Sequence, residues 1–144
     1  MFEMALLEAG DWQAQWLGAS DPTCESPLFR TAFVVDRPVA RARAYVCGLG
    51  YYELYINGRR VGDHVLDPNW TDYDAREMRD LLYPYQDNSI KTLFYVTYDV
   101  TSLLREGENA VGVMLGNGWH NQRERVIEGK MWYGPPRLLF QLNS

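Results

Sequence analysis

Cysteine and histidine are scarce in this sequence of 144 residues, with two of each: Cys24, Cys47, His64 and His120. Two thiols cannot build the framework of a disulfide-stapled domain, and two imidazoles leave little material for a zinc centre. Basic side chains are outnumbered, 14 against 19 acidic, for a formal charge of −5. That balance excludes an overall basic coat for nucleic acid or anionic lipid. No run approaches the roughly 18 apolar residues needed to cross a bilayer. The first twelve residues carry Glu3 and Glu8, have no basic stretch and hold too short an apolar run for a secretory leader. The expectation is a soluble, cytoplasmic protein without a nucleic-acid or membrane partner. Phosphate-loop glycine spacing is missing, as is a serine in a nucleophile elbow. What is abundant is aromatic: five Trp, ten Tyr and five Phe. At 47% hydrophobic and 23% charged, the chain has the make-up of one globular domain with one core.

The patterning is mostly that of strands. Residues 1–10 read as a lead-in, with a short helical turn around Met4, Leu6 and Leu7. Phe29 to Val35 is a plausible strand, punctuated by Asp36-Arg-Pro38. In Arg41 to Gly48, Ala42, Ala44 and Val46 share one face while the arginines take the other, so one face is expected inside and the other toward water or a neighbour. Leu54 and Ile56 share a face of the next strand. Asn57-Gly58 after them is the favoured type I′ hairpin turn, since both residues tolerate positive φ. Asp67 to Asp74 reads as a loop. Asp74 and Glu77 form a capping box before Met78, Leu81 and Leu82, which predicts a helix over 75–83, stopped by Pro84. Thr92–Tyr98 is predicted as a strand. Thr101 is expected to cap a single turn, Ser102–Arg105, with Gly107 left-handed after it. Ala110–Leu115 and Arg137–Leu142 complete the strands, and Gly116–His120 between them can only be a loop. Six or more strands with one or two short helices predict an all-β sandwich.

Several runs resemble the N-terminal β-sandwich domain of bacterial α-L-rhamnosidases. They are Cys47-Gly-Leu-Gly-Tyr-Tyr-Glu-Leu-Tyr-Ile-Asn-Gly58, Val61-Gly-Asp63, Leu66-Asp-Pro-Asn-Trp-Thr-Asp-Tyr73, Thr97-Tyr-Asp-Val-Thr101 and Leu115-Gly-Asn-Gly-Trp119. Trp12 to Gly18 and Tyr133 to Leu138 fit as well, so the likeness spans about residues 11–142. The hairpin and the Tyr-Asp-Val-Thr series are shared with many galactose-binding-like jelly rolls. The ordered pair Gly48-Leu-Gly-Tyr-Tyr52 and Gly116-Asn-Gly-Trp119 is narrower. Residues 75–91 depart from the family pattern as a partly helical insertion. The resemblance implies a jelly-roll, galactose-binding-like sandwich over 11–144, cut short at its C-terminal end. It implies an accessory, non-catalytic part of an enzyme that releases terminal α-L-rhamnose with inversion. Its implied partners are a downstream catalytic (α/α)-barrel of the same polypeptide and rhamnose-containing glycosides. No cofactor is expected, and a homo-oligomer is left open.

The residues can also be weighed without the family. Inverting glycoside hydrolysis needs two carboxyl groups roughly 6.5–9.5 Å apart across a cleft. Glu53, Asp67, Asp72, Asp74, Glu124 and Glu128 are available, but nothing in the sequence sets two of them across a pocket, so no catalytic residue is assigned. Asp67, Asp72 and Asp74 could offer oxygens to calcium; capping and local backbone bonding explain them equally, and no metal site is assigned. Cys24 and Cys47 read as ordinary small side chains. A sugar offers C–H groups on one face and hydroxyls at its rim, which suits a flat ring beside short polar groups. Trp119 and His120, held at a loop tip by the glycines around Asn117, are the first candidates for a carbohydrate-facing or inter-domain surface. Trp132 with Tyr133, and Trp70 with Asp72, are the second. Trp12 and Trp16 are expected to pack, since aromatic rings of this size bury about 150–250 Å² each in cores and contacts. Three functions remain in view: a rhamnosidase accessory domain, an autonomous carbohydrate-binding module, and a purely structural or protein-interaction sandwich.

Overall fold

The computed structural model describes residues 5–71, 73, 93–122 and 133–144. Among the described residues eight strands make two four-stranded sheets, each pairing antiparallel, in a β-sandwich of jelly-roll type. One sheet has the order β1 (Leu17–Gly18), β8 (Arg137–Asn143), β3 (Arg43–Leu49), β6 (Val96–Asp99). The other runs β2 (Leu28–Val35), β7 (Gly107–Leu115), β4 (Tyr52–Ile56), β5 (Arg59–Arg60). They are called the β3 sheet and the β7 sheet below. The expected helix over 75–83 and the insertion at 75–91 lie outside the described residues. Among the described residues no helix is long and apolar enough to cross a membrane.

Period-two patterning builds the core. Leu54 and Ile56 of β4, Val111, Val113 and Leu115 of β7, and Ala44, Val46 and Leu138 of the β3 sheet meet between the layers. Enclosing each leucine or isoleucine contributes about 1.5–3 kcal/mol relative to leaving it in water. The Asn57-Gly58 turn forms as expected, with φ of +50° and +77°. Asn57 does more than turn the chain. Its Oδ1 accepts from Ala110 N (2.9 Å), and its Nδ2 donates to Leu103 O (2.9 Å) and Asn109 Oδ1 (2.8 Å). The hairpin is thereby tied to the turn that precedes β7.

Several local expectations are refined. β3 is buried on both faces: Tyr45 is 6% and Cys47 4% exposed, besides Ala44 and Val46. Over Tyr45 the cover is the chain's own N-terminal segment. Trp12 stands edge-on to Tyr45 (centroids 6.4 Å) and Tyr95 (5.3 Å), Gln13 N donates to Gln141 Oε1 (2.7 Å), and Tyr95 OH donates to Leu6 O (2.6 Å). Trp12 packs as expected, while Trp16 stays 39% exposed beside β1. β6 is shorter than the predicted 92–98, because the described residues before Val96 leave the ladder and place Tyr95 under Trp12. A 3-10 turn does form at Thr101–Leu103, but the carboxylate of Asp99 ties it, accepting from Thr101 N (3.0 Å) and Oγ1 (2.7 Å). A short 3-10 turn lies at Ala9–Asp11, while Met4 of the expected turn lies outside the described residues.

Candidate functional site

Three connections meet at one end of the sandwich: the β3–β4 turn, the segment after β5, and the β7–β8 connection. Gly116 N donates to Tyr51 O (2.7 Å), and Tyr52 N donates to Asp67 O (3.0 Å). The approach is so close that a Cβ on Gly50, at φ +122°, would lie 2.0 Å from the carbonyl oxygen of Gly116. The two glycine runs singled out in the sequence are therefore one structure, each requiring the other.

Beyond Gly116 the chain closes on itself. Asn121 N donates to Asn117 O (3.2 Å), and Asn121 Nδ2 donates to Asn117 Oδ1 (2.7 Å). His120 is not at a loop tip, as the glycine pattern suggested; it is 5% exposed. Its ring stands edge-on to Tyr73 (5.0 Å, 89°) and tilted against Tyr133 (6.1 Å), with Tyr73 and Tyr133 5.4 Å apart. Tyr133 N donates to His120 O (3.0 Å). Burial lowers the His120 pKa below its ordinary value of 6.5, opposed by a backbone hydrogen bond at Gly134 and reinforced by the charge of Arg137. The same burial is the main cause that pushes the Tyr73 phenol up to about 12. Among the described residues, the enclosed His120 Nδ1, Asn121 Oδ1 and Gln122 Oε1 have no hydrogen-bond partner. Among the described residues no carboxylate orients this imidazole, and its burial between two tyrosine rings is that of a packing group.

Of the sequence candidates, Asn117, His120, Tyr133 and the half-buried Trp119 are thus gathered on the β7–β8 connection. Trp70 is 57% exposed, and no ring contact among the described residues joins it to the His120 cluster. Trp132 and Asp72 lie outside the described residues. Glu53 faces outward from the β7 sheet, accepting from Tyr55 OH (2.7 Å) with Arg60 3.7 Å away. Asp67 turns elsewhere, toward Tyr98, so these two carboxylates do not face one another.

Sequence reasoning missed Tyr73, although it closes the same Trp-Thr-Asp-Tyr run as Trp70. It also missed a chain of hydrogen bonds reaching from the core to the surface. Tyr98 OH donates to Asp67 Oδ2 (2.5 Å), which leaves Tyr98 to accept from the buried Tyr52 OH (3.1 Å). His64 Nδ1 stands 3.0 Å from the same carboxylate oxygen. Burial first, then the bond to Tyr98, raises the Tyr52 pKa far above its ordinary value. The chain pins the Asp67–Trp70 segment to β4. Its signal was the inward parity of Tyr52 and Tyr98 on their strands, which only a known register turns into a contact.

The fold and this glycine-locked end define a jelly-roll β-sandwich domain with its irregular loops collected on one side. Residues 37–144 match the family described as the alpha-L-rhamnosidase N-terminal domain, and the chain belongs to that family. It is similar to an alpha-L-rhamnosidase of Formosa agariphila, 34% identical over 98% of this chain and 16% of that protein. Among solved structures it is similar to the native rhamnosidase from Aspergillus terreus, with 38% identity and a TM-score of 0.74 over 97% of this chain and 15% of that one. The Streptomyces avermitilis alpha-L-rhamnosidase complexed with L-rhamnose superposes with a TM-score of 0.57 at 34% identity, over 82% of this chain and 10% of that one. The chain thus spans about a sixth or less of the length of these relatives.

Proposed function

We propose that this chain is a non-catalytic accessory domain of an α-L-rhamnosidase, a hydrolase that removes terminal α-L-rhamnose from glycosides. The observation that carries the reading is the family match over 37–144, made by a chain that corresponds to only 15–16% of the Formosa and Aspergillus enzymes. In this reading the sandwich supports a catalytic (α/α)-barrel of the same polypeptide. The end built from Asn117, Trp119, His120 and Tyr133 lies against that barrel or forms one wall of its substrate cleft. Two features support a structural role for this end. His120 is locked inside a cluster of tyrosines, and the carboxylates of Glu53 and Asp67 point to different surfaces. Incubating the purified chain with an aryl α-L-rhamnoside is expected to give no enzyme-like turnover. Turnover at an enzyme-like rate, abolished by no change outside residues 1–144, would sink the proposal.

A second reading, an autonomous carbohydrate-binding module, rests on one observation: the exposed Trp70 follows Asn69 in the chain, and Asn69 lines an open depression with His64, Val65, Pro68 and Phe94. Titration with L-rhamnose separates the two. The accessory-domain reading expects flat tryptophan fluorescence and unmoved indole resonances up to millimolar sugar. A saturable shift of the Trp70 indole signal would favour the module instead.

A further inference from the structure

Among the described residues β2 is an edge strand of eight residues, Leu28–Val35, paired with β7 alone. Its run Leu-Phe-Arg-Thr-Ala-Phe-Val-Val has one charge, no proline and no glycine. The register runs from Leu28 opposite Met114 to Val35 opposite Gly107 without a bulge. Long edges of this kind are normally blunted, because their unpaired amide and carbonyl groups template pairing with another chain. The bond from Leu115 N to Pro27 O (3.1 Å) fixes which groups are already used. Bonding residues alternate in an antiparallel ladder, so Phe29, Thr31, Phe33 and Val35 bond toward β7. The N–H and C=O of Leu28, Arg30, Ala32 and Val34 therefore point outward. Among the described residues their only contact is a long one from Thr31 Oγ1 to Ala32 O (3.5 Å).

We propose that β2 pairs antiparallel with β2 of a second copy of this chain, about a two-fold axis at Thr31, to form one continuous eight-stranded sheet. The strand is self-complementary in that register. Thr31 meets the partner's Thr31, Phe29 the partner's Phe33, Arg30 the partner's Ala32 and Leu28 the partner's Val34. Each pair lies on one face, and no like charges stand opposite. A shift of one residue would set inward side chains against outward ones. A shift of two either sets Arg30 against the partner's Arg30 or Leu28 against the partner's Asp36. Leu28 and Val34 are 72% and 63% exposed, and the pairing covers both. The phenylalanines meet beside an open cleft of about 130 Å³ between the sheets, which Phe29 lines with Thr31, Val113, Leu138 and Phe140. A closed two-fold contact of this type uses the same patch twice and ends there.

Sedimentation equilibrium over micromolar to several hundred micromolar chain is expected to show a mass rising toward twice 16.7 kDa. Ala32→Pro removes one outward N–H and leaves the bonds to β7 in place, so it is expected to stay monomeric with an unchanged circular dichroism spectrum. Should that variant not fold, Thr31→Cys with Cys24→Ser gives an independent reading. Non-bonded antiparallel pairs bring Cα atoms to about 4.5 Å, inside the roughly 4.4–6.8 Å that a disulfide spans. Mild oxidation is then expected to yield a reducible covalent dimer, and Val34→Cys in the same background is expected to yield none. A monomer at the highest concentration, a dimer untouched by Ala32→Pro, or a Thr31→Cys chain that fails to cross-link would each overturn the pairing.

Discussion

Two glycines with positive φ differ in what stands around them. Gly50 faces the carbonyl of Gly116, where an added Cβ would sit 2.0 Å from oxygen, whereas Gly58 has nothing within 4 Å. Gly58→Ala is expected to cost about 1–2 kcal/mol, the strain of a left-handed residue alone. Gly50→Ala must also push the two facing backbones away from each other, and a loss of about 3 kcal/mol or more is expected. Urea denaturation of both variants tests this; equal losses would mean the close approach does not matter. His120 supplies the pH dependence at this scale. Its folded pKa is held below the ordinary 6.5, so between those two values the unfolded chain binds more protons. Stability is therefore intact above pH 6.5 and falls as the pH drops toward the depressed value, by at most about 1.4 kcal/mol per pH unit. His120→Phe keeps a ring between Tyr73 and Tyr133 and is expected to flatten the curve over that range. Identical slopes below pH 6.5 in the two proteins would rule His120 out as the cause.

At the scale of elements, the N-terminal segment decides what β3 looks like. The alternation of Ala42, Ala44 and Val46 was legible because period-two burial is a local property of a strand. The burial of Tyr45 was not, since its cover comes from Trp12, more than thirty positions away. Trp12→Ala is expected to cost about 2–3 kcal/mol, less than the 3–5 kcal/mol typical of a fully enclosed ring. A second readout is chemical. Burial pushes the Cys47 thiol up to about 11, so with Cys24→Ser in place it should resist thiol reagents at pH 8. Unfolding the chain in urea should open it to labelling, and equal labelling rates in the native and the denatured chain would show that Cys47 is not enclosed. The Asn57-Gly58 hairpin was fully legible, because turn type follows from the φ tolerance of two adjacent residues. Its further use of the Asn57 amide to tie down Ala110 and Asn109 needed the strand order.

For the molecule as a whole, both sheets contribute to one contiguous core, with Leu54 from the β7 sheet and Leu138 from the β3 sheet both sealed inside it. The two sheets should therefore unfold together. Leu54→Ala and Leu138→Ala are each expected to cost about 2–5 kcal/mol. Each should lower a single transition in which near-ultraviolet and far-ultraviolet circular dichroism coincide. Separate transitions, with one variant moving only one of them, would show that the sheets are independent. The strand inventory behind this core was readable for β2, β4, β7 and β8, where alternation and turn signals agree. It was poorest for β6, whose leading residues have strand-like composition and yet serve as a platform for Trp12.

The sequence alone determined the all-β sandwich, the hairpin at Asn57-Gly58 and the family, because strand alternation, positive-φ turns and glycine-bounded motifs are local and survive in the order of residues. Only the tertiary structure decided the fate of the scarce and the abundant side chains. It sealed His120 between Tyr73 and Tyr133, buried Cys47, divided the aromatics between strap, cluster and surface, and among the described residues left β2 open at its edge. Each of those outcomes depends on which distant segments are brought together. That is a matter of sheet order and register, which no local pattern encodes.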